Sequence, residues 1–278
     1  MQGVFLFSAL ISVLAIVLIG VFVFAGGLPF IAKYGLNNFL LGEKWTPSNT
    51  PAAFGILPMI VGSVSVTLGA VVIGVPIGVL TAVFMAKFCP PKLYKLLKPA
   101  VNLMAAIPSI VYGFFALQLI VPLMRGLFGG TGMNMLTVML LLGVMILPTI
   151  IGMSESAIRA VPESYYSGSL ALGATHERSV MKVILPAAKS GILSSIVLGV
   201  GRAIGETMAV VLVAGNQPRI PEALTQGVRT LTTNIVLEMS YAAGQHREAL
   251  IATAVVLFGF ILLINGIFML IKRKETVK

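Results

Sequence analysis

Two long runs of this 278-residue chain contain no charged side chain, and they constrain the fold more than any other feature. The first extends from Met1 to Ala32 and the second from Trp45 to Ala86. Because an α-helix rises about 1.5 Å per residue, about 20 apolar residues cross the roughly 30 Å hydrocarbon core of a bilayer. Each run is therefore long enough to hold a membrane-spanning helix.

Charged side chains are scarce along the whole chain. They make up 10% of the residues, whereas apolar residues make up 58% and the mean hydropathy is +1.02. A soluble domain carries about a quarter charged residues, so we expect most of the exterior to face membrane lipid. No stretch is both polar and long enough to fold alone in water, and residues 1–278 are predicted to form a single transmembrane domain.

The apolar runs divide the chain into about six helical spans, which predicts an all-α polytopic membrane protein. The fifth run differs from the others because it encloses two charged residues, Arg202 and Glu206. The first run has no basic segment before it and exceeds the roughly 7–15 apolar residues of a signal peptide, so we do not expect it to be cleaved. The predicted spans lie near residues 4–25, 57–86, 100–124, 133–154, 191–214 and 250–271.

The distribution of Lys and Arg predicts the orientation of these spans. With a cytoplasmic N-terminus, twelve of them fall on the cytoplasmic side, against six outside: Lys33, Lys44, Arg125, Arg219, Arg229 and Arg247. The twelve are Lys87, Lys92, Lys95, Lys98, Arg159, Arg178, Lys182, Lys189, Lys272, Arg273, Lys274 and Lys278. Cytoplasmic loops carry such an excess, so both termini are expected in the cytoplasm.

Three segments between the spans are long enough to have a function of their own. Residues 26–56 are expected outside and carry Trp45, a candidate anchor at the membrane interface. Residues 215–249 are also expected outside, with a helical stretch from about Glu222 to Ala243. Residues 155–190 are expected inside, and their pattern predicts two short helices joined by a turn, with Pro186 ending or bending the helix that precedes the fifth span.

Several function classes lack their characteristic residues. The net charge of +10 follows from the loop asymmetry, so nucleic-acid binding is not indicated. The single cysteine, Cys89, and the two histidines, His176 and His246, provide no metal site within the spans. No Gly-Lys pair exists for a phosphate-binding loop, and the common hydrolase motifs are missing. An enzyme is not indicated, and any energy source must belong to another subunit.

The predicted inner loop resembles that of ABC importer permeases. Their loop motif is E-A-A-x-x-x-G-x(9)-I-x-L-P, and this chain matches it at Gly173, Leu185 and Pro186, with Val183 in place of the isoleucine. The triplet falls on Ser167, Gly168 and Ser169, so the motif's glutamate is absent. The resemblance implies a coupling loop that docks on a separate ATPase through Ser167, Leu172, Gly173, Ala174, Thr175, Leu185 and Pro186. An ordinary amphipathic connector is the alternative.

The fifth run is more specific. Residues 201–210 read Gly-Arg-Ala-Ile-Gly-Glu-Thr-Met-Ala-Val, which is similar to the signature of phosphate-importer permeases of the PstC type. Further matches are Trp45-Thr46-Pro47, Phe54-Gly55-Ile56-Leu57-Pro58, Ile107-Pro108-Ser109-Ile110-Val111-Tyr112-Gly113 and Gly215-Asn216. The resemblance covers the chain from Phe39 onwards and implies the type I ABC importer permease fold.

Arg202 and Glu206 are the main candidate site residues. A charge inside a bilayer costs at least about 2.5–3.5 kcal/mol, and residues four apart on a helix lie on one face, so the two are expected to neutralise each other. They either form a structural ion pair or line a pathway for an anion, with Thr207, Ser109 and Tyr112 adding hydroxyl groups. The hydroxyls of Ser109 and Tyr112 have an alternative role in bonding to backbone carbonyls. Gly201 and Gly205 are expected to permit close helix packing.

The resemblance also implies partners. It implies a permease subunit of an ATP-driven phosphate importer in the prokaryotic cell membrane, working with a second permease of the PstA type. Two ATP-binding subunits of the PstB type would hold ATP-Mg, and an extracytoplasmic phosphate-binding protein of the PstS type would deliver the anion. This chain is expected to bind no cofactor itself. Two alternatives are a permease for molybdate or sulfate and a self-contained channel or secondary transporter.

Overall fold

The structure is a computed structural model that describes the backbone of residues 1–276 and the side chains of residues 1–270. Six stretches of helix in this part are long and apolar enough to cross a membrane: Gln2–Tyr34, Leu57–Phe88, Ser109–Phe128, Met135–Arg159, His176–Gly205 and Gly244–Leu270. Four residues used to predict the orientation lie outside the described side chains: Lys272, Arg273, Lys274 and Lys278.

The elements follow one another as helices with one small hairpin. The helices are α1 (Gln2–Tyr34), α2 (Leu36–Leu40), α3 (Leu57–Val83), α4 (Pro91–Ala106), α5 (Ser109–Phe128), α6 (Met135–Arg159), α7 (Glu163–Ala171), α8 (His176–Ser179), α9 (Leu185–Gly205), α10 (Met208–Val213), α11 (Leu231–Glu238) and α12 (Gly244–Thr276). Strands β1 (Trp45–Thr46) and β2 (Ala53–Phe54) pair antiparallel. Two π-helical turns extend helices: Phe84–Phe88 follows α3, and Val180–Ile184 joins α8 to α9.

The two ends of the helix bundle carry different elements. We call the end with the β-hairpin and α11 the hairpin end, and the end with the π-helical turn Phe84–Phe88, α7 and α8 the basic end. α3 and α6 run from the hairpin end to the basic end, and α9 runs back in the opposite direction.

Helix α6 is the centre of the bundle and the most enclosed of the six long helices. Its close contact with α3 depends on glycine, because a Cβ atom on Gly74 would lie 2.7 Å from the Gly143 carbonyl oxygen and 2.7 Å from the Ile146 side chain. Gly199 of α9 also approaches α6, where a Cβ atom would lie 3.0 Å from the Ile150 side chain, which contacts Gly78 of α3 as well. The small residues let the backbones approach closely, as is common between membrane helices.

Helix α1 packs on the bundle only near its C-terminal end. A Cβ atom on Gly27 would lie 2.9 Å from the Cα atom of Ala252 in α12. By contrast, the large apolar side chains from Val4 to Phe22 are half exposed or more. Such a surface is stable only in lipid or against another hydrophobic chain.

The hairpin corrects the role predicted for Trp45. This side chain is only 4% exposed, and its indole Nε1 donates a hydrogen bond of 2.8 Å to Glu238 Oε2. It packs edge-on against Phe54 and His246. Trp45 is therefore a core residue of the hairpin end, because its N–H has found an internal partner, and it does not anchor the chain at the interface.

The third span differs from the single helix predicted over residues 100–124. The predicted range falls across α4 and α5, which are separated at Ile107 and Pro108. Ile107 is extended, with φ −67° and ψ 127°, because a proline disfavours the helical conformation of the residue before it. Pro108 was the sequence signal for this break.

The fifth span, predicted over residues 191–214, is also broken. α9 ends at Gly205, Glu206 is extended with φ −67° and ψ 128°, and a new helix begins at Met208. At its other end the helix does not end at Pro186, which was one of the two predicted outcomes, but continues back through the π-helical turn to His176. That turn accommodates the missing N–H of the proline without ending the helix.

The two predicted loops are partly as expected. Residues 155–190 contain two short helices, α7 and α8, joined by a turn, but the first residues still belong to α6, which ends at Arg159. The helical stretch predicted from Glu222 to Ala243 is shorter, since only Leu231–Glu238 is helical. Thr230 begins that helix with a capping box, accepting a hydrogen bond from the Thr233 N–H.

The close packing of α3 on α6 predicts that Gly74→Ile destabilises the protein. Overpacking costs about 1–3 kcal/mol, which lowers the unfolding temperature by several degrees for a chain of this size, at about 2–4 °C per kcal/mol. The thermal midpoint of the detergent-solubilised protein measures this. Gly20→Ile is the matched control, because no atom lies within 4 Å of a Cβ at Gly20. Equal midpoints for the two variants would contradict this packing.

Candidate functional site

The breaks in the third and fifth spans lie beside the same part of α6. Ser154 Oγ of α6 is 2.7 Å from Ser195 Oγ of α9, and two turns further along α9 Arg202 contacts Thr149. The chain therefore reaches the end of α9 near the middle of α6. On another face of α6, Ile107 lines a pocket together with Leu141 and Val144. Both breaks are thus far from the two ends of the bundle.

Three polar backbone groups at the fifth-span break have internal partners. Glu206 Oε1 accepts a hydrogen bond from the Ala209 N–H (3.1 Å), and Thr207 Oγ1 donates to the Gly205 carbonyl (3.1 Å). Thr232 of α11 donates to the Glu206 carbonyl (3.1 Å). Unpaired backbone groups are costly in a bilayer, so these contacts allow the helix to be interrupted at this depth.

Arg202 and Glu206 do not form the ion pair predicted from their spacing. Because α9 ends at Gly205, Glu206 does not lie one turn above Arg202 on a helical face, and its carboxylate binds the first turn of α10 instead. A carboxylate is favourable at a helix N-terminus. The Arg202 guanidinium donates through Nη1 to Thr149 Oγ1 at 3.3 Å, and no ion pair joins it to another described side chain.

Arg202 lies in an open pocket of about 510 Å³ between α6, α9 and α12. The pocket has four polar side chains, from Thr149, Ser194, Arg202 and Asn265, and the rest of its lining is Gly201 and apolar side chains. Thr149 and Asn265 were missed in the sequence, although each is an isolated polar residue in a long apolar run. Glu206 does not line this pocket.

The other predicted pathway residues lie at or near the breaks. Ser109 is the first residue of α5 and is half-buried. Tyr112 is buried, and its hydroxyl donates to the Met104 carbonyl of α4 at 2.8 Å, which joins the helices on the two sides of the third-span break. Thr207 is half-buried and bonds to a backbone carbonyl as described above. Tyr112 therefore makes the backbone bond that was the alternative to its pathway role, and Thr207 makes a backbone bond as well.

Gly201 and Gly205 do not have the packing role predicted for them within this chain. A Cβ atom at either position would meet no other atom within 4 Å. At these two glycines the end of α9 therefore exposes bare backbone to open space, beside the pocket of Arg202.

The residues of the predicted coupling loop lie at the surface of the basic end. Ser167 is in α7, which has no buried residue, and Leu172 is 91% exposed. Gly173 has a φ of 82°, a left-handed conformation that favours glycine, and Ala174 follows in the same turn. Thr175 caps α8 by accepting a hydrogen bond from the Arg178 N–H. The other two residues, Leu185 and Pro186, begin α9 on the far side of the π-helical turn.

Contacts with the basic end of α3 hold this loop in place. Tyr166 of α7 and His176 of α8 are joined by a hydrogen bond of 2.7 Å between the hydroxyl and Nδ1. The ring of Phe88 packs edge-on against His176 at 4.8 Å, and the Lys87 ammonium lies 5.6 Å from the centre of the Tyr166 ring. An exposed, apolar-rich turn is thereby attached to the ends of two spans.

A buried carboxylate fastens α4 to α6 at the same end. Glu155 is 1% exposed and accepts hydrogen bonds from Lys98 Nζ (2.6 Å), the Tyr94 hydroxyl (2.7 Å) and Arg159 Nε (2.8 Å). Arg159 also donates to the Met85 carbonyl in the π-helical turn after α3 (2.8 Å). Charge-assisted bonds of this length are strong, so three helices are tied together. No motif or spacing in the sequence groups these residues.

A second carboxylate does the same at the hairpin end. Glu238 of α11 binds Trp45 of the hairpin, Arg229 of the preceding loop (2.5 Å) and His246 of α12 (2.8 Å). Arg229 also donates to the Asn234 side chain and the Asn216 carbonyl. Segments far apart in sequence are thus fixed as one surface. Within the described residues, no group of three His, Cys, Asp or Glu side chains is arranged to hold a metal ion.

These features define a class of protein: a multi-pass membrane permease with a polar pocket midway through broken spans and a loop exposed at one end. Residues 74–277 match the family described as binding-protein-dependent transport system inner membrane component, and the chain belongs to this family.

Two relatives illustrate the similarity. The chain is 39% identical over 236 residues to a probable ABC transporter permease protein, YqgH of Bacillus subtilis, covering 84% of this chain and 76% of the relative. It is 32% identical over 280 residues to the phosphate transport system permease protein PstC of Mesorhizobium japonicum, covering 92% and 85%.

A solved structure supports the fold. A chain of an inward-facing MetNI methionine ABC transporter superposes with a TM-score of 0.64 at 22% identity, covering 79% of this chain and 95% of that one. The fold is that of a type I ABC importer permease, as the resemblance implied.

The network around Glu155 predicts a large stability effect of Glu155→Gln. The amide that replaces the carboxylate weakens the bonds from Lys98 and Arg159, whose side chains are 31% and 45% exposed and can be solvated instead, so we expect a loss of about 1.5–3 kcal/mol and a lower thermal midpoint in detergent. Glu163→Gln is the matched control, because Glu163 is 74% exposed and pairs only at 4.0 Å with Lys87; exposed pairs contribute little. Midpoints lowered equally by the two substitutions would contradict the role of Glu155.

Proposed function

We propose that this chain is the permease subunit of an ATP-driven importer of inorganic phosphate and provides half of the translocation pathway. The observation that carries the proposal is the position of Arg202, whose guanidinium lies in a polar pocket at the broken span with a neutral threonine as its partner. The phosphate system named for the Mesorhizobium japonicum relative supports the substrate.

The chemistry of the pocket suits a tetrahedral oxyanion. A guanidinium donates two parallel hydrogen bonds to paired oxygens, and its charge persists at any physiological pH. Arg202 lacks a carboxylate partner among the described residues, so its charge is available to a passing anion. A single cation also holds the anion weakly, which a transport pathway requires for release.

Glu206 has a different role from the one its spacing suggested. It supports the first turn of α10 and so maintains the interruption of the fifth span. Interrupted helices expose backbone groups that line a substrate path in many transporters. In this proposal Glu206 shapes the path and Arg202 binds the anion, while Thr207, Ser109 and Tyr112 border the breaks.

The energy for transport would come from partner subunits. The exposed turn of residues 172–175, together with Ser167, Leu185 and Pro186, is proposed to dock on an ATP-binding subunit of the PstB type, which would hold ATP-Mg. The basic end would then be cytoplasmic, with both termini on that side, in agreement with the excess of Lys and Arg. A second permease of the PstA type would form the other half of the path.

The hairpin end is proposed as the docking surface for a phosphate-binding protein of the PstS type. Residues 26–56 and 215–249 form this surface, and the Glu238 cluster makes it rigid. ATP binding and hydrolysis would shift the two permeases between outward-facing and inward-facing states.

The role of Arg202 predicts that Arg202→Gln abolishes phosphate uptake while the protein still inserts and assembles. Arg202→Lys should retain only part of the activity, since a lysine cannot make the bidentate contact. Radiolabelled phosphate uptake into cells that lack other phosphate importers measures both effects, and co-purification of the ATP-binding subunit measures assembly.

Arg125→Gln serves as the control for loss of an arginine. Arg125 is exposed at the end of α5 and donates only to the Thr131 carbonyl, so uptake should be unchanged. Undiminished uptake by Arg202→Gln would refute the pathway role. Failure of any ATP-binding subunit to co-purify with the wild-type chain would refute the importer itself.

A further inference from the structure

We infer that Thr149 and Asn265 complete the anion site at Arg202 and make it selective for an oxyanion that carries a proton. The inference rests on the proposed function and goes further, because it names the groups that distinguish phosphate from sulfate within the membrane.

Thr149 and Asn265 both lie in the pocket of Arg202. Thr149 of α6, Arg202 of α9 and Asn265 of α12 line the same pocket from three helices. Asn265 and Ser194 also line a second pocket of about 380 Å³ that continues between α9 and α12 beside Phe268 and Met269. Asn265 therefore lies where the pocket of Arg202 extends towards the basic end.

The Thr149 hydroxyl differs from other helical hydroxyls in its hydrogen bonding. Several other hydroxyls in the helices donate to the carbonyl four residues earlier, as Thr253 does to Ala249 (2.9 Å) and Ser156 does to Gly152 (2.8 Å). Thr149 instead accepts from Arg202 and makes no such backbone bond among the described contacts. Its hydroxyl proton and second lone pair therefore remain for a ligand in the pocket.

The amide of Asn265 lines both pockets. It is an isolated amide in the apolar run of α12, and no hydrogen bond joins it to another described residue. A polar group in a bilayer is costly unless it faces a polar partner or a water-filled cavity. Its position in both pockets provides such a cavity, and its Oδ1 and Nδ2 atoms offer an acceptor and a donor.

Phosphate and sulfate differ in whether they carry a proton. Phosphate carries at least one P–OH group at neutral pH, whereas sulfate carries no proton. Arginine has only donors, so it cannot distinguish the two. Thr149 and Asn265 are neutral acceptors that can receive the P–OH bond without repelling the anion, and binding sulfate would leave those acceptors unpaired, which lowers its affinity. Glu206, the nearest carboxylate in sequence, is outside the pocket.

The test measures anion binding in the pocket directly, because in uptake the external binding protein also selects the substrate. Cys89 is the only cysteine, so Cys89→Ser with Gly201→Cys gives one thiol in the pocket lining, where no atom obstructs a side chain. The complete assembly in nanodiscs is alkylated with iodoacetamide in the presence of increasing phosphate or sulfate. The phosphate concentration that halves the alkylation rate is compared with the sulfate concentration that does the same.

We expect phosphate to protect the thiol at about tenfold lower concentration than sulfate, the effect of about one hydrogen bond to a charged group. Thr149→Val and Asn265→Leu should each raise the protecting concentration of phosphate about tenfold and that of sulfate by a smaller factor, because sulfate loses only a donor whereas phosphate also loses the acceptor for its P–OH group. Thr253→Val is the control, because its hydroxyl is already bonded to Ala249 and lies outside the pocket; it should change neither value.

The outcomes separate the two proposals. Equal protection by both anions, or equal shifts for both in the variants, would overturn the selectivity while the anion site at Arg202 stands. A thiol that does not react, or that neither anion protects, would overturn the anion site and with it the proposed pathway role of Arg202.

Discussion

The structure depends on hydrogen-bond partners for polar groups that lie inside the membrane, away from bulk water. An interruption of a helix inside a membrane exposes backbone N–H and C=O groups, and a guanidinium adds a full charge. Here α6 provides the support for both: Thr149 receives the Arg202 side chain, and the breaks in the third and fifth spans lie beside its middle. Glu206, Thr207 and Thr232 then satisfy the backbone at the fifth-span break.

The two ends of the bundle use buried carboxylates in a similar way. Glu155 ties α4 and α6 to the end of α3 at the basic end, and Glu238 ties the hairpin, α11 and α12 together at the other end. Between these clusters the spans are apolar and closely packed. The exposed turn near Leu172 is joined to the end of α3 through the contacts of Phe88 with His176 and of Lys87 with Tyr166, and to α9 through the π-helical turn.

Much of the architecture follows from the sequence because hydrophobic length is a strong signal. The six spans and the turn at Gly173 depend on apolar runs and on glycine. The breaks were harder to predict, since hydropathy is continuous across Ile107 to Ser109 and across Gly205 to Thr207. Pro108 was a usable signal, but the residues around Glu206 are compatible with a helix, and the cap at Ala209 exists only in the folded chain.

The candidate site was only partly predictable for the same reason. Arg202 stands out as a charge in a span, but its partner could not be deduced from spacing once the helix ended before Glu206. Thr149 and Asn265 come from helices distant in sequence, so their proximity to Arg202 is a property of packing. Trp45 and Glu238 are 193 positions apart, and the place of Trp45 in an external loop favoured an anchor at the membrane interface.

Phosphate transport through this framework is tested most directly by uptake of radiolabelled phosphate into liposomes that contain the reconstituted assembly and its binding protein. The account predicts uptake that requires ATP and persists in a large excess of unlabelled sulfate or molybdate. Uptake that proceeds without ATP, or that sulfate or molybdate suppresses as effectively as unlabelled phosphate, would contradict it.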